Sequence, residues 1–232
     1  MTLDRLLPGL PDPARPFLTY YDEDTGERVE LSGVTAANWV AKTSNFLVDD
    51  LDAAPGTRVR LGLPSHWLRF VWMLSCWSVG AVVVDADADI GLSGPDLEAD
   101  EPVRVAASLR PLGGRFAEPP TGFLDLGAEV PPHGDVFVAL DPPAPDTLAL
   151  DLDGRRATQA ELVASTEPSA ERLLVEPGPL SRDVDLVVAA GLGGGSLVVV
   201  AAGGRAGPGA ADGRVPADVI ARLAEQERAR PV

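Results

Sequence analysis

The chain has 232 residues, of which 45% are apolar, so it is long enough to bury a sizeable core in one large domain or two smaller lobes. Its formal net charge of −16, from 35 acidic and 19 basic residues, repels phosphate backbones and anionic lipid headgroups. Composition therefore excludes nucleic acid and membrane surfaces as expected partners, and indicates a soluble, self-repelling surface.

Cysteine and histidine are too few for the common disulfide and metal frameworks. The single Cys76 excludes an intramolecular disulfide and a cysteine metal cluster, and its apolar neighbours predict a buried, inert thiol. Because His66 and His133 are the only histidines, a histidine-rich zinc site is excluded. We expect His66 to cap a helix or lie at the surface, and His133 to lie in a turn.

Targeting and membrane signals are weak in this sequence. The N-terminal residues lack the basic region and long apolar stretch of a signal peptide, which predicts a cytoplasmic protein. The longest uncharged run, residues 186–204, approaches the length of a membrane span. It contains six glycines, which weaken any helix that crosses a bilayer, so a transmembrane segment is not expected.

The first third of the chain predicts alternating strands and helices. An Asp-Thr-Gly turn joins two strands into a hairpin, and Thr35 is a suitable N-cap for the helix that follows. Pro55-Gly56 then turns the chain into a strand, and a helix that is apolar nearly all round leads through Gly80 to a β-branched strand. The predicted elements are strands 17–21 and 28–31, helix 35–51, strand 58–63, helix 67–79 and strand 81–84.

The rest of the chain is first rich in turn residues and then resumes the alternation. Proline-rich connectors separate three shorter strand candidates at 103–109, 122–126 and 136–140. After a strand at 147–152 and an Asp-Gly turn, Thr158 and Glu161 form a capping box that opens a helix. The remaining predicted elements are a strand at 173–175, a helix at 184–192, a strand at 197–202, a Gly/Ala/Pro linker and a last helix from Pro216.

This order of elements predicts an α/β protein with a mostly parallel sheet layered with helices. We expect two lobes, an N-terminal lobe at 1–145 and a second lobe at 146–232 that ends in a helix, packed as one unit. The four tryptophans are expected in the core or at an interface, since they lie within the predicted helices. They are Trp39, Trp67, Trp72 and Trp77.

An acidic stretch after the strand at 81–84 invites a calcium-binding interpretation. Asp85, Asp87, Asp89 and Asp96 occupy positions 1, 3, 5 and 12 of a calcium-loop spacing. However, Ile90 stands where the sharp turn needs Gly, and Asp96 is shorter than the usual bidentate Glu. A solvated acidic loop is therefore favoured, and no metal ligand is predicted.

The glycine-rich stretch 191–196 has a superficial likeness to a dinucleotide or phosphate loop. Such loops follow a strand and open a helix, whereas here a strand is predicted after the glycines. We therefore interpret the stretch as the C-cap of a helix followed by a tight turn.

Five motifs follow one another in a specific order and spacing. They are Pro-Gly-Thr-Arg-Val at 55–59, Leu-Pro-Ser at 63–65, Gly-Ala-Val at 80–82, a glycine-to-valine run at 192–200 and a helix at 216–223. Together they resemble the N-terminal region of adenylate-forming enzymes, the superfamily of acyl-CoA synthetases and AMP-binding ligases, although Thr57 replaces the usual Asp. The chain also resembles short actinobacterial-type proteins related to these ligases. The resemblance implies that the chain corresponds to about half of the length of a superfamily member.

The resemblance gives special weight to the turn after the strand at 147–152. In the superfamily this turn is a Ser/Thr/Gly-rich loop ending in Pro-Lys-Gly, whose backbone N–H groups and Lys hold the ATP phosphates. Here residues 153–157 read Asp-Gly-Arg-Arg-Ala, which predicts a tight αβ connection too short to enclose three phosphates. Arg155 and Arg156 could attract an anion, but Asp153 opposes them.

The resemblance also implies that the superfamily's later motifs, which hold adenine, ribose and Mg²⁺ and supply the catalytic Lys, would lie beyond Val232. We therefore do not expect adenylation by this chain alone. No catalytic, cofactor-binding or metal residue is predicted, and no cofactor.

Two classes of function remain open at this point. The leading hypothesis is a non-catalytic remnant of an adenylate-forming enzyme that acts as a binding or interaction module. Its occupant would be a second copy in a homodimer, a protein partner or a small acyl-like ligand. The alternative is one half of a split ATP-dependent acyl- or amino-acid-activating ligase, completed by a partner chain. An inactive structural relic makes the same sequence predictions as the leading hypothesis.

Overall fold

The computed structural model describes residues 1–201 and 215–232. The helices in these ranges are α1 (Gly33–Asp49), α2 (Trp67–Val79), α3 (Leu126–Glu129), α4 (Gln159–Ser165), α5 (Leu180–Gly193) and α6 (Ala217–Glu227). The strands are β1 (Pro16–Asp22), β2 (Glu27–Ser32), β3 (Arg58–Gly62), β4 (Val82–Val84), β5 (Ile90–Ser93), β6 (Val103–Ala106), β7 (Leu124–Asp125), β8 (Leu148–Leu152), β9 (Arg155–Thr158), β10 (Arg172–Val175), β11 (Ser196–Val200) and β12 (Arg230–Pro231).

The chain forms two compact units, each drawn from separate stretches. The first unit comprises Met1–Arg5, Ala37–Leu63 and Leu68–Ser165. The second comprises Leu6–Ala36, Pro64–Trp67 and Thr166–Val232. The lobes predicted at 1–145 and 146–232 follow chain order, whereas these units interleave along it. The interleaving arises because the N-terminal hairpin of β1 and β2 joins a sheet with strands near the C-terminus.

A sheet of seven strands lies at the centre of the first unit in the described chain, in the order β7-β6-β5-β3-β4-β8-β9. Its neighbouring strands are parallel except for β8 and β9, which form an antiparallel pair. A parallel strand covered on both faces needs a continuous apolar sequence. Strand β4 meets this need, since Val82, Val83 and Val84 are all buried.

Helix α2 is buried on every side, as its sequence predicts. Trp72 and Met73, which lie on different faces of the helix, and Trp77 each have a relative exposure of 0%. The Trp77 indole N–H donates a hydrogen bond to the Ala149 carbonyl at 3.1 Å, which satisfies its one polar group in the core. The helix ends at Val79, and Gly80 directly after it adopts a φ of +86° that favours glycine.

A second sheet, in the order β12-β10-β11-β1-β2, organises the second unit in the described chain. Strand β1 is parallel to β11 and antiparallel to β2, so the N-terminal hairpin extends a sheet of parallel strands. Helix α6 covers this sheet because its apolar face, with Ile220 and Leu223, packs into a cluster of buried side chains. The other members of the cluster are Tyr21, Leu174, Val198, Val200, Val215 and Ala229.

These observations confirm the predicted α/β class with mostly parallel sheets layered with helices. The bounds of α2 agree with the predicted helix at 67–79. Helix α5 begins at Leu180, earlier than predicted, because the chain enters it directly from Pro179. Residues 202–214 lie outside the described residues. They include most of the predicted Gly/Ala/Pro linker and Ala202, the last residue of the strand predicted at 197–202.

Two strand predictions in the middle of the chain need correction, and one strand there was not predicted. The strand predicted at 136–140 is wrong: these residues belong to neither sheet, and the prolines at 142 and 143 that follow them lack backbone N–H groups. The candidate at 122–126 is only the short strand β7, because Asp125 caps helix α3 by accepting a hydrogen bond from the Gly127 N–H. Strand β5 was not predicted, since acidic residues precede it.

No helix within residues 1–201 and 215–232 combines the length and apolar character needed to cross a bilayer.

Candidate functional site

The position where the resemblance places a phosphate-binding loop is a β-hairpin. Strands β8 and β9 pair up to Leu152 and Arg155, so only Asp153 and Gly154 form the turn. Both turn residues have positive φ angles, 54° and 74°, the backbone that a tight hairpin requires and that Asp-Gly favours. The expected αβ connection is therefore corrected, because strand β9 intervenes before the helix.

Acidic groups surround this turn in the first unit. The Asp153 backbone N–H donates to the Asp85 carboxylate at 2.8 Å, and Asp151 forms an ion pair with Arg58 at 3.1 Å. The same Arg58 guanidinium also donates to the carbonyls of Ala86 and Asp87. The charge and the N–H donors of Arg58 are therefore already paired within the protein. The turn presents carboxylates to solvent, and a loop this short offers few backbone N–H donors.

Helix α4 starts directly after β9 with the predicted capping box. The Glu161 N–H donates to the Thr158 hydroxyl at 3.2 Å, and the Thr158 N–H donates to the Glu161 carboxylate at 2.8 Å. These hydrogen bonds from Thr158 lower the pKa of the Glu161 carboxyl. The first turn of α4 is therefore capped by its own side chains, which confirms the prediction and places a carboxylate where an anion would bind.

The acidic stretch at 85–96 has the structure of a turn and a buried strand. Ile90, at the position where a calcium loop needs Gly, begins β5 and is 1% exposed. Asp89 accepts a hydrogen bond from the Arg58 N–H, and Asp96 accepts one from the Ser93 hydroxyl. Across the described ranges, no three His, Cys, Asp or Glu side chains are grouped so as to hold a metal ion.

The glycine-rich stretch at 191–196 is a helix C-cap, as predicted. Gly194 has a φ of +70°, and its N–H donates to the Ala190 carbonyl at the end of α5. A side chain at Gly193 or Gly195 would collide with the backbone of the segment before β10, since an added Cβ would lie 2.3 or 2.4 Å from its atoms. These glycines therefore permit close packing of the chain and do not form a phosphate loop.

A cleft of about 330 Å³ lies beside this turn, within the second unit. Both polar and apolar side chains line it, together with the backbone of the glycine turn. The lining residues are Leu10, Pro11, Asp12, Arg15, Pro16, Phe17, Glu30, Ala170, Arg172, Gly194, Gly195, Ser196 and Glu227. Its size is within the range of small-molecule sites, and its mixed lining suits an amphipathic occupant.

Arg172, one of the charged residues that line the cleft, forms hydrogen bonds with other residues of the protein. Its guanidinium donates to the Glu227 carboxylate at 2.6 Å, to Thr19 at 2.8 Å and to Ser196 at 3.1 Å. Burial opposes ionisation of Glu227, but hydrogen bonds from Tyr21 and Arg172 outweigh it and lower the pKa of this carboxyl. The ion pair thus attaches the end of α6 to the sheet, and the charge of Arg172 is largely neutralised.

His66 lies in the core of the second unit, directly before α2, which corrects the expected surface position. It is 1% exposed, and its ring centroid lies 4.5 Å from that of Tyr20. Burial lowers the pKa of His66 to about 4, so the imidazole is neutral at physiological pH. His133 lies in the predicted turn, where its Nε2 is 3.2 Å from the Asp50 carboxylate.

Cys76 and three of the four tryptophans lie in the core, as predicted. Cys76 is buried, and burial raises the pKa of its thiol to about 12, so it is an inert thiol as predicted. Trp67, Trp72 and Trp77 are core residues, whereas Trp39 is half-buried.

Sequence reasoning missed the polar network around Glu227. Its members come from β1, β2, β10 and α6, which are far apart in the chain, and no local motif marks them. Only the order of strands in the sheet brings them together.

One relative in sequence is a "TIGR03089 family protein" from Mycobacterium tuberculosis (strain ATCC 25618 / H37Rv). It is 38% identical to this chain over 205 residues, covering 82% of this chain and 84% of the relative. No protein-family model matches the chain.

Several solved structures share the fold at low sequence identity. An acyl-CoA synthetase from Brucella canis has a TM-score of 0.75 and 14% identity over 99% of this chain. A fatty acyl CoA synthetase from Mycobacterium tuberculosis has a TM-score of 0.68 and 15% identity over 98% of this chain. The N-terminal domain of FACL13 from the same species has a TM-score of 0.69 and 14% identity over 99% of this chain. The chain spans 46%, 48% and 61% of these three proteins. The predicted fold resemblance to the N-terminal part of acyl-CoA synthetases is confirmed.

Proposed function

The chain belongs to the TIGR03089 family, and we propose that it is a non-catalytic relative of the adenylate-forming enzymes that acts as a binding or interaction module. The structural match to an acyl-CoA synthetase covers 99% of this chain, which supports common ancestry of the two proteins. Common fold does not imply common chemistry, so the proposal depends on the site itself.

The single observation that supports this proposal most strongly is the two-residue turn between β8 and β9. A phosphate-binding loop needs several backbone N–H groups directed at one anion. A turn of Asp153 and Gly154 has two, and the N–H of Asp153 already donates to Asp85. The hairpin therefore lacks the donors to enclose a triphosphate.

The charges around the turn support the same proposal. Asp85, Asp151 and Asp153 lie at or beside it, and Arg58 is already engaged by Asp151 and two backbone carbonyls. Arg155 and Arg156 on β9 are the arginines that follow the turn directly. Bringing phosphates to this acidic edge would cost repulsion that two surface arginines offset only in part.

A binding role is compatible with more than one kind of occupant. The cleft in the second unit, at about 330 Å³, has room for a small acyl-like molecule. A protein partner or a second copy would instead need an exposed apolar surface. None of these occupants requires the β8–β9 hairpin to take part in catalysis.

Calorimetric titration of the full chain with Mg·ATP, and separately with AMP, tests the proposal. We expect no saturable heat below about 1 mM ligand, a limit that corresponds to about −4 kcal/mol of binding free energy. A full-length acyl-CoA synthetase, titrated in the same buffer, is the positive control. A dissociation constant in the low micromolar range, about −8 kcal/mol, would overturn the proposal.

ATP–pyrophosphate exchange separates the proposal from the split-ligase alternative. The chain is assayed alone and mixed with the products of neighbouring genes. We expect no exchange in any combination. Exchange that needs both this chain and a second polypeptide would establish the alternative, in which this chain is one half of an acyl- or amino-acid-activating ligase.

A further inference from the structure

Three large apolar side chains of the first unit are exposed on one short segment. Val136, Val138 and Leu140, which we call the apolar strip, have relative exposures of 75%, 78% and 99%. The residues between them, Phe137 and Ala139, are half-buried. Exposure therefore alternates with the period of a β-strand whose one face lies on the protein and whose other face meets solvent.

The backbone of the same segment is available for pairing. Residues 136–139 form no helix, turn or bend, and within the described ranges no backbone–backbone hydrogen bond involves residues 137–141. The prolines at 142 and 143 lack N–H groups and limit pairing to the residues before them. Backbone donors and acceptors of such an edge are satisfied by water or by an added strand.

The start of the segment is held in place by α1. The amino group of Lys42, the single lysine of the chain, donates to the carbonyls of Pro131 and His133 and forms an ion pair with Asp135 at 3.0 Å. The Asn45 side chain donates to the Gly134 and Val136 carbonyls, both at 3.0 Å. A segment fixed in this way loses less conformational entropy when a partner binds.

We propose that the apolar strip is a docking edge for an extended segment of a protein partner, which adds a short strand along residues 136–141. Alternating apolar side chains of the partner would pack on Val136, Val138 and Leu140, and main-chain hydrogen bonds would set its register. Lysine or arginine flanking the partner's apolar residues would face the Asp141 carboxylate at one end and, at the other, the Asp135 carboxylate that Lys42 also contacts.

The negative charge of the chain favours a basic partner over a second copy as the occupant of the strip. An antiparallel pair of two identical strips centred on Val138 would place Asp135, whose charge Lys42 offsets in part, opposite Asp141 at both ends. Like charges directly opposite one another destabilise a strand pair. Each copy also has a net charge of −16, which adds long-range repulsion. A basic segment replaces both penalties with attraction.

This inference rests on the proposed function, because it names the surface through which a non-catalytic chain would act. The two ideas fail separately. Nucleotide binding in calorimetry would overturn the non-catalytic proposal, whereas the experiment below decides the docking edge alone.

The test is selection of a phage-displayed library of random short peptides on the full chain, with counter-selection on Val138→Asp. We expect enriched peptides to alternate apolar residues and to carry flanking Lys or Arg. Synthetic copies should bind Val138→Asp about tenfold more weakly than the unmodified chain. Val34→Asp is the matched control, since Val34 is a valine exposed at 51% on α1, and it should bind as the unmodified chain does.

A second readout reports on strand formation itself. Adding an enriched peptide should slow amide hydrogen exchange at residues 137–141, because new main-chain hydrogen bonds protect these groups. The proposal is overturned by a selection that enriches nothing, by peptides that bind Val138→Asp equally well, or by bound peptides that leave exchange unchanged. A dimer in sedimentation that Val138→Asp dissociates would also overturn it, in favour of a second copy.

Discussion

Helix α2 and the apolar strip are both rich in large apolar side chains, but they meet opposite environments. Trp72, Met73 and Trp77 of α2 are 0% exposed, whereas the strip residues are 75–99% exposed. A helix satisfies its own backbone groups, so it can be buried completely wherever its side chains pack. A strand needs a neighbour for the same purpose, and the described residues give the strip none. Apolar sequence therefore specifies burial only where the hydrogen-bonding groups are also satisfied.

The largest effect should come from truncating the centre of α2. Trp77→Ala removes a fully buried ring and its hydrogen bond to the Ala149 carbonyl, so we expect a loss of about 3–5 kcal/mol in the free energy of unfolding. Urea denaturation followed by circular dichroism measures it. Trp39→Ala, at the half-buried tryptophan of α1, is the matched control and should cost less. Equal costs would show that α2 is not the better packed of the two.

The free energy of unfolding should depend on pH through His66, which directly precedes α2. Burial lowers its pKa from 6.5 to about 4, so the unfolded chain takes up a proton at higher pH than the folded chain. The stability due to neutral His66 is thus full above pH 6.5 and falls as the pH drops towards 4, by up to about 3 kcal/mol.

Denaturation curves at several pH values check this prediction. His66→Gln should flatten the decline between pH 6.5 and 4 relative to the unmodified chain. His133→Gln removes the other imidazole of the chain and is the matched control. A decline that His66→Gln leaves unchanged would contradict a buried, neutral imidazole.

A smaller effect is expected where α1 anchors the start of the strip segment. Lys42→Met keeps the aliphatic stem but removes the hydrogen bonds to Pro131 and His133 and the ion pair with Asp135, at a cost of about 1–2 kcal/mol. Hydrogen exchange should accelerate at residues 133–136 and remain unchanged in α2. Lys42→Arg retains a positive donor and should restore most of the protection. Unchanged exchange in Lys42→Met would show that Lys42 does not hold the segment.

The smallest effect should come from the strip itself. Val138 is 78% exposed, so Val138→Asp should change the free energy of unfolding by no more than about 0.5 kcal/mol. Val83→Asp, which places the same charge in the buried strand β4, should prevent folding or cost several kcal/mol. A loss well above 1 kcal/mol in Val138→Asp would mean that the strip packs within the molecule, and would remove the contrast with α2.

Local sequence signals predicted much of this fold correctly because they encode local physics. The periodicity of α2, the Thr158–Glu161 capping box and the glycine C-cap after α5 each depend on residues close together in the chain. Strand β9 was missed because Arg-Arg-Ala-Thr shows no apolar alternation, and only pairing with β8 makes it a strand. At 136–140 the alternation is real, but the strand prediction failed because sequence cannot show whether a partner strand is present.

The candidate site divides in the same way. The shortness of the turn at Asp153 could be predicted, since it follows from the number of residues between two elements. The Arg172–Glu227 ion pair could not, because 55 residues separate its members and the order of strands brings them together. The burial of His66 was missed for the same reason: Tyr20, which covers it, comes from a distant strand.

The central claim is that the hairpin of β8 and β9 does not hold nucleotide phosphates. Titration of the ¹⁵N-labelled chain with Mg·ATP, followed at the amide resonances of Gly154 and Arg155, tests it most directly. We predict that these resonances stay in place up to millimolar ligand. Saturable shifts at both amides, diminished in Arg155→Ala, would contradict the claim and restore nucleotide chemistry to this turn.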